Sequence, residues 1–247
     1  MPSPANYVTD GREYLRFLAS GSGALMRGML TPILLEMIDA SGKTLLDLGC
    51  GEGYYTRLFR QRGAQAAVGI DISETLLAEA RKQDPPGRYF LLDFNAQSFP
   101  GEERFDVILA NMVLMNFQDL KSSFAKLAGL MKLGGQLTVV IANPFYAYPV
   151  GQWKRSWFGK LRLVVGNYFA PQARDFSFPE SELKFPHYHH LLSEYVNYAM
   201  DAGFTLHELR EPAIPSELSK KYRGVLLAKQ LTAVPIFQIL NFKYGQK

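Results

Sequence analysis

The sequence predicts a doubly wound α/β fold, in which helices cover both faces of a mostly parallel sheet. Short apolar segments typical of strands alternate with helical segments between residues 41 and 143. Several of these strands end in an acidic residue, and the first of them runs into a glycine-rich turn. The chain has 247 residues, enough to bury a large core as one domain with insertions.

The glycine-rich turn is the most informative segment, and it reads Leu45-Leu46-Asp47-Leu48-Gly49-Cys50-Gly51-Glu52-Gly53. Glycine has no Cβ, so the chain turns sharply there and its amides approach a ligand closely. Residues 54–59 are typical of the first turns of a helix. The order of strand, glycine turn and helix predicts a nucleotide-type binding turn.

The spacing of the glycines narrows the choice of ligand. The pattern GxGxG differs from the dinucleotide pattern GxGxxG and from the phosphate-binding pattern GxxxxGK[ST]. Asp47 and Glu52 make the turn acidic, which favours a cationic or ammonium-bearing ligand over phosphates.

Acidic residues also end the next two predicted strands. Asp71 closes the strand within residues 66–73, and Asp93 follows the strand 89–92. Because the carboxyl ends of parallel strands meet at one edge, we expect Asp47, Asp71 and Asp93 to converge on one crevice. Each aspartate alone is equally typical of a helix cap or a turn.

Residues 40 to 145 together resemble the class I S-adenosylmethionine-dependent methyltransferases, whose first motif is an acidic residue followed by GxGxG. The resemblance implies a Rossmann-like seven-stranded sheet, mostly parallel with an antiparallel edge, and a helical cap or lid. It implies S-adenosylmethionine as cofactor and S-adenosylhomocysteine as product, with an acid binding both ribose hydroxyls. The cofactor residues it indicates are Asp47, Gly49, Cys50, Gly51, Asp71, Ile72, Asp93, Phe94, Asn111 and Met112.

The remaining elements follow from the same pattern. Further predicted strands are 105–112, 136–141, 204–209 and 224–229, the last two forming the antiparallel edge; predicted helices are 73–82, 120–133 and 191–198. Near the N-terminus, helices are predicted at 13–18 and at 32–38, the latter with Thr31 as cap and Pro32 at the first helical position. The small residues 19–23 between them predict a hinge, and the resemblance makes Tyr7 and Tyr14 candidate lid contacts, with a core or surface position as the alternative.

The segment between the fifth strand and residue 190 is rich in aromatic residues and proline, and the resemblance implies that it roofs the acceptor. A satellite core beneath a long loop is the alternative. Basic and aromatic residues alternate over 153–162, which favours an amphipathic lid helix over a site for an anionic substrate or a membrane surface. The predicted acceptor is small and aromatic or hydrophobic, and its predicted contacts are Met115, Phe145, Tyr146, Trp153 and Tyr188.

Candidate bases lie close to residue 190. Related small-molecule methyltransferases often carry Tyr-His-Arg at this place; His189 falls on that histidine, and His190 replaces the arginine. His189 and His187 are the predicted catalytic residues, although a histidine that satisfies backbone groups at a helix entry is the alternative. Met115 stands where many relatives have a histidine, so no base is expected there. The histidines lack carboxylate or cysteine partners at metal-binding spacing, which predicts a metal-independent enzyme.

The predicted organisation has five parts. They are an N-terminal helical lid (1–40), the cofactor-binding core (41–143), a substrate cap (144–190), the completion of the core (191–230) and an apolar tail (231–247). An apolar tail should be buried, either against its own domain or in a partner subunit, so a homodimer is one possibility.

Composition limits the partners. No window approaches 18 uninterrupted apolar residues, and the N-terminus lacks the layout of a signal peptide, so we expect a cytoplasmic protein without a membrane span. The single cysteine excludes an intramolecular disulfide. The net charge of +4 comes from scattered residues, so nucleic acid is not the expected partner.

The predicted reaction is direct in-line methyl transfer to an O, N or C atom of a small molecule. The alternatives are an RNA or protein methyltransferase, and a catalytically silent protein that keeps the fold for binding. Residues 143–146, Asn-Pro-Phe-Tyr, have some likeness to the NPPY motif, but they follow the fifth predicted strand and not the fourth.

Overall fold

A computed structural model describes residues 11–146, 150–170, 173–177 and 184–245. Eleven strands are found in this part of the chain. They are β1 (Thr44–Leu48), β2 (Ala66–Asp71), β3 (Arg88–Leu91), β4 (Phe105–Asn111), β5 (Met131–Ala142), β6 (Gly151–Arg155), β7 (Leu161–Val165), β8 (Ala173–Ser177), β9 (Lys184–Tyr188), β10 (Phe204–Arg210) and β11 (Phe237–Tyr244).

Seven of these strands form the central sheet, in the order β10-β11-β5-β4-β1-β2-β3. The strands β1 to β5 pair in parallel, whereas β11 is antiparallel to both β5 and β10. The order reverses at β1, so the crevice beyond the carboxyl ends of β1 and β4 is the place where ligands bind in such sheets. The predicted doubly wound sheet with an antiparallel edge is confirmed.

Helices cover both faces of the sheet. They are α1 (Gly11–Ala19), α2 (Gly21–Met37), α3 (Tyr54–Gln61), α4 (Glu74–Gln83), α5 (Leu120–Leu130), α6 (Leu192–Asp201), α7 (Ser216–Lys221) and α8 (Leu226–Leu231), with a short 3-10 helix at Leu114–Asn116. Successive residues of β1 point to opposite faces: Leu45 packs with α2 and α3, and Leu46 packs with α5 and α6. Two apolar layers therefore hold the sheet from either side.

The second N-terminal helix is longer than predicted. It begins at Gly21, and Pro32 lies inside it, so the expected start at Pro32 is wrong. The predicted hinge at 19–23 is reduced to a break at Ser20, whose hydroxyl accepts a hydrogen bond from the amide of Gly23 at 3.3 Å. Burial of the helix's apolar residues outweighs the backbone hydrogen bond that proline removes.

The last strand of the sheet is not where the sequence predicted it. Of the predicted strand 224–229, residues 226–229 belong to the helix α8. The last strand of the sheet is β11, which lies in the predicted tail. This strand has the apolar character of a central strand, and its residues 237–242 are all buried between β5 and β10. The strand part of the predicted tail is thus buried in the sheet of its own chain.

The basic and aromatic segment forms a hairpin and not the predicted lid helix. The strands β6 and β7 pair in antiparallel register, with Trp153 opposite Leu163 and Lys154 opposite Arg162. The alternation of apolar and basic residues has the period of two that a strand requires. The strands β8 and β9 also pair in antiparallel register and complete the described part of the cap. None of the described helices is long and apolar enough to cross a membrane.

Candidate active site

A cavity of about 790 Å³ lies beyond the carboxyl ends of the parallel strands. Its walls come from the glycine-rich turn after β1, from the ends of β2, β3 and β4, from α1 and α2, and from the cap. The volume falls within the range of about 300–1,000 Å³ that is usual for small-molecule sites. The cavity therefore occupies the crevice that the sheet topology indicates.

Three glycines shape the turn at the floor of the cavity. Gly49, Gly51 and Gly53 have φ values of +68°, +56° and +75°. A Cβ at position 49 would lie 2.6 Å from Cγ2 of Val113, so glycine is also required there by the close approach of another segment. The amide of Gly51 donates to Oδ2 of Asp71 at 2.8 Å, which ties the turn to the end of β2.

Asp71 is buried at the end of β2 and lines the cavity. Its second oxygen, Oδ1, accepts from the amide of Ser73 at 2.9 Å. Each carboxylate oxygen has two lone pairs, so capacity remains for two hydroxyl groups of a ligand. Burial raises the pKa of this carboxyl group, and the backbone hydrogen bonds oppose that shift. Its neighbour Ile72 also faces the cavity.

Asp47 has a different place from the one predicted. It lies beneath the turn and outside the cavity lining, where its Oδ2 accepts from the amide and the hydroxyl of Thr56 at 3.0 and 2.7 Å. Burial raises the pKa of Asp47 to about 7. In this conformation its contacts fix the start of α3 on the end of β1.

The turn presents fewer acidic side chains to the cavity than the sequence indicated. Glu52 is buried outside the cavity lining and forms ion pairs with Arg27 and Arg57, the latter at 3.5 Å. The thiol of Cys50 also points away from the cavity and packs in a small apolar cluster with Tyr89, and burial raises its pKa. Of the acids between β1 and the end of β2, Asp71 is the one that lines the cavity.

The ends of β3 and β4 supply the next wall. Asp93 and Phe94 line the cavity after β3, and Phe94 packs against Phe117 with ring centroids 6.2 Å apart. Asn111, at the end of β4, has a buried Oδ1 without a hydrogen-bond partner among the described residues. The following residue, Met112, has a φ of +57°, a conformation that costs a non-glycine residue about 1–2 kcal/mol.

The predicted acceptor contacts and catalytic histidines divide into two groups. Met115, Tyr146, His187 and Tyr188 line the cavity, whereas Phe145, Trp153 and His189 do not. These three side chains contact other residues of the cap instead. Phe145 stacks on Tyr168 with ring centroids 4.2 Å apart, and Trp153 packs on Tyr146 with ring centroids 6.2 Å apart. The Nε2 of His189 donates a hydrogen bond to the carbonyl oxygen of Tyr168 at 2.7 Å. The structure does not bring His189 to the cavity, so its predicted catalytic role lacks direct access in this conformation.

Residues 46–139 match the family model described as a methyltransferase domain. The core of the chain is a class I methyltransferase domain. The prediction made from the glycine turn and the strand ends is thereby confirmed. Its family uses S-adenosylmethionine as cofactor, in agreement with the sequence.

Curated relatives of this methyltransferase domain act on different kinds of acceptor. The chain is 33% identical over 129 residues to the ubiquinone biosynthesis O-methyltransferase of Rhodopseudomonas palustris strain BisA53, covering 51% of this chain and 46% of that protein. It is 32% identical to the tRNA U34 carboxymethyltransferase of Pseudoalteromonas translucida, covering 40% and 31% respectively. It is 35% identical to the ribosomal protein L11 methyltransferase of Vibrio vulnificus, covering 49% and 41%. The chain thus spans less than half the length of these relatives.

Solved structures share the fold over most of the chain. An S-adenosylmethionine-dependent methyltransferase from Mesorhizobium loti superposes with a TM-score of 0.74 at 21% identity, covering 86% of this chain and 96% of that one. The DhpI–SAH complex superposes with a TM-score of 0.60 at 13% identity, covering 98% and 97%. At these identities the likeness shows the fold of the domain.

Several residues outside the predicted cofactor and acceptor sites also line the cavity. Tyr14 of α1, a candidate lid contact, lines the cavity. Ser22 and Met26 of α2 also line it and were not predicted. The other candidate lid contact, Tyr7, lies outside the described residues. Others, from the cap, α6 and the start of β11, are His190, Glu194, Tyr198, Ile236 and Phe237. The apolar run 234–240 was the available signal for the last two, but it was assigned to a tail.

Two histidines of the cap face the cavity in an uncharged state. Burial, with His189 and His190 nearby, lowers the pKa of His187 to about 4. Burial also lowers the pKa of His190, whose Nε2 donates to the carbonyl of Phe117 at 2.8 Å. Both rings are neutral near pH 7, so neither supplies the positive charge of the arginine that His190 replaces.

The charged residues of the cavity wall are mostly acidic. Lys121 is the one lysine or arginine among its described lining residues, against the four acids Asp71, Asp93, Asp119 and Glu194. Among the residues that the structure describes, no group of three or more His, Cys, Asp or Glu side chains could hold a metal ion. The cavity therefore favours a neutral or cationic ligand over a polyanion.

Proposed function

We propose that this chain transfers the methyl group of S-adenosylmethionine to a small, largely apolar acceptor. The observation that carries the proposal is that one cavity extends from Asp71 and the glycine turn to Tyr146, His187 and Tyr188 of the cap. Cofactor-type residues and aromatic cap residues thus line the same cavity. That arrangement brings two reactants together in the way in-line transfer requires.

The residues at the strand ends fit the cofactor. Asp71 has free lone pairs for the ribose hydroxyls, and Asp93 and Phe94 supply a polar edge and an apolar wall for the adenine. The unpartnered Oδ1 of Asn111 fits the ammonium group of the methionine part, because a buried acceptor without a partner is costly. When bound, the sulfonium supplies an electrophilic methyl group that leaves a neutral thioether behind.

The cap side fits a neutral or amine-bearing molecule with an aromatic or aliphatic body. Tyr146, Tyr188 and Phe117 give apolar contact area, and the surplus of carboxylates opposes entry of a nucleic acid. His187 is uncharged at neutral pH, so its imidazole is in the state that accepts a proton from the attacking group. Tyr188 and Glu194 offer further polar groups that orient the acceptor.

The test is calorimetric titration of the protein with S-adenosylmethionine and with S-adenosylhomocysteine. Asp71→Asn removes the charge but keeps an oxygen for the amide of Gly51, and we expect it to weaken binding by about tenfold or more. Asp39→Asn is the matched control, because Asp39 has an exposed side chain away from the cavity lining, and it should bind like the wild type. Unfolding curves of both variants check that the fold is kept.

A screen of radiolabelled methyl transfer then distinguishes the acceptor classes. Small aromatic amines, phenols and hydroxylated apolar molecules should be methylated, while transfer RNA and ribosomal protein should not. Methylation of RNA or protein alone would contradict the small-molecule proposal and leave the cofactor assignment standing. Failure of the wild-type protein to bind either cofactor form would contradict the methyltransferase proposal itself.

A further inference from the structure

The tip of the β6–β7 hairpin carries two aromatic side chains in full contact with solvent. Trp157 and Phe158 are 98% and 87% exposed, the highest values among the described large apolar residues. The turn that holds them is closed by hydrogen bonds: the amide of Ser156 donates to the carbonyl of Lys160 at 2.8 Å, and the amide of Lys160 donates to Oγ of Ser156 at 3.1 Å. The two rings therefore project from an ordered turn.

Positive charge surrounds this tip. Residues 150–170 contain four basic residues and no acidic residue. The segment therefore carries a charge of +4, as large as the formal net charge of the whole chain. All four, Lys154, Arg155, Lys160 and Arg162, are exposed. Lys154 and Arg162 lie directly opposite each other in the hairpin, an arrangement of like charges that destabilises a strand pair. An external anionic surface would remove that repulsion.

The base of the hairpin is attached to the body of the protein. Trp153, Leu161 and Leu163 share the face opposite to Lys154 and Arg162, and they are only partly exposed. Trp153 packs on Tyr146, whose hydroxyl donates to Oε1 of Gln230 at 3.0 Å. The anchored inner face leaves the basic face and the aromatic tip available to a partner.

We propose that the β6–β7 hairpin is a docking site for an anionic lipid surface. In this arrangement Trp157 and Phe158 enter the interface between headgroups and acyl chains, and Lys154, Lys160 and Arg162 contact the phosphates of the headgroups. Arg155 pairs with Leu161 on the other face of the hairpin. The order of the groups supports a bilayer: the apolar rings lie at the tip, and Lys154 and Arg162 lie behind them, one on each strand. Tryptophan favours the membrane interface, and basic residues beside apolar ones bind anionic lipid.

The hairpin also lies within the chain between two parts of the cavity wall. Tyr146 precedes β6, and His187 and Tyr188 follow in β9. Docking through the hairpin would hold the cap of the cavity on the lipid surface. The inference does not rest on the proposed methyl transfer, because vesicle binding is measured without cofactor or acceptor.

The experiment is sedimentation of the full chain with vesicles of phosphatidylcholine alone or mixed with phosphatidylglycerol. We expect binding to the anionic vesicles that weakens as salt is raised. Lys154→Gln with Arg162→Gln should weaken binding about 25-fold, taking about fivefold for each cation. Trp157→Ser with Phe158→Ser should weaken it at least about tenfold. These exposed positions are not expected to affect folding, which unfolding curves check.

Matched controls use exposed residues outside the hairpin. Lys220→Gln with Lys229→Gln removes the same charge, and Leu133→Ser with Met200→Ser removes exposed apolar groups; both variants should bind like the wild type. A second readout uses fluorescence, because the chain has only two tryptophans. In Trp153→Phe, Trp157 is the single reporter, and its emission should shift to the blue on anionic vesicles.

Several results would overturn the inference. Wild-type protein that fails to sediment with anionic vesicles at low salt would do so, as would binding that the hairpin substitutions leave unchanged. Binding of an oligonucleotide that depends on Lys154 and Arg162, without vesicle binding, would assign the hairpin to nucleic acid instead. A dimer that the Trp157→Ser and Phe158→Ser substitutions dissociate, again without vesicle binding, would assign it to a second copy of the chain.

Discussion

Asp47 is a buried carboxyl group whose hydrogen bonds come from the amide and the hydroxyl of Thr56. Burial raises its pKa to about 7, because the charged form is poorly solvated and the two hydrogen bonds compensate only in part. Asp71, at the next strand end, faces the cavity instead. Two aspartates with the same sequence context thus have different tasks, one holding the turn and one available to a ligand.

The raised pKa of Asp47 makes stability depend on pH. The folded protein binds this proton more tightly than the unfolded chain, whose aspartates have the ordinary pKa of 3.8. The contribution of Asp47 to stability is therefore complete below about pH 4 and is lost as pH rises through about 7. The unfolding free energy of the wild type should fall between about pH 4 and pH 7 because of Asp47. In the Asp47→Asn variant this fall should be smaller by up to about 4 kcal/mol.

Urea unfolding of both proteins at a series of pH values measures this difference. Asp39→Asn serves as the control, because that side chain is 77% exposed and should leave the pH dependence as in the wild type. Parallel curves for the wild type and Asp47→Asn would show that burial does not raise the pKa of Asp47.

The sequence did not predict which histidines of the cap face the cavity. His187, His189 and His190 are close in sequence, and the resemblance to related methyltransferases favoured His189. In the structure His189 bonds to the carbonyl of Tyr168, while its two neighbours in the group face the cavity. The direction of each ring depends on the long-range contact of the cap with Tyr168 and Phe117, which no local pattern encodes.

The glycine turn is the element that the sequence predicted best, and its geometry gives a matched pair of substitutions. Gly42 and Gly49 have the same φ of +68°. A Cβ at position 42 would meet nothing within 4 Å, whereas one at position 49 would lie 2.6 Å from Val113. Gly42→Ala should therefore cost only the backbone strain, about 1–2 kcal/mol. Gly49→Ala should cost about 1–3 kcal/mol more, because the core around Val113 must move.

Unfolding free energies in urea test this pair. The difference between the two variants measures mainly the steric part, since both positions have the same φ. Equal costs would mean that the Val113 side chain moves aside freely, and that the close packing of the turn on this segment does not stabilise the fold.

Elements whose sequence pattern lies within the element itself were mostly predicted correctly, and the strands that were missed depend on pairing with other segments. The strands β1 to β4 were identified because each is a short apolar run closed by a polar residue, and α3 begins directly after Gly53 as expected. The hairpin β6–β7 was mistaken for a helix, since aromatic and basic residues alternate in ways compatible with both periods over so few positions. Its strand pairing, and not its composition, decides the structure.

At the scale of the whole molecule, the sheet is completed by a strand from the end of the chain. The strand β11 pairs with both β5 and β10, so the central sheet contains it as an internal strand. Sequence reasoning identified the segment as apolar and expected its burial, but it assigned the last strand to residues 224–229. Pairing between distant segments is a non-local property, and the loop and helix α8 before it gave no local signal of it. The homodimer stays a prediction.

The internal position of β11 makes one residue near the end of the chain essential to stability. Phe242 is fully buried and packs against Phe124 and Phe204, each with ring centroids 6.3 Å from its own. We expect Phe242→Ala to cost about 3–5 kcal/mol of unfolding free energy, measured in urea. Leu133→Ala is the control, because Leu133 is 82% exposed, and it should change stability by no more than about 0.5 kcal/mol.

Truncation after Gln230 extends this test from one residue to the whole strand. It leaves β5 and β10 without their partner and removes Ile236 and Phe237 from the cavity wall. The truncated chain should therefore lose cooperative unfolding, and cofactor binding with it, because unpaired edges of buried strands leave their backbone groups unsatisfied. A truncated chain that stays soluble and unfolds at the wild-type urea midpoint would mean that the sheet does not need β11. Equal unfolding free energies for Phe242→Ala and Leu133→Ala would mean the same.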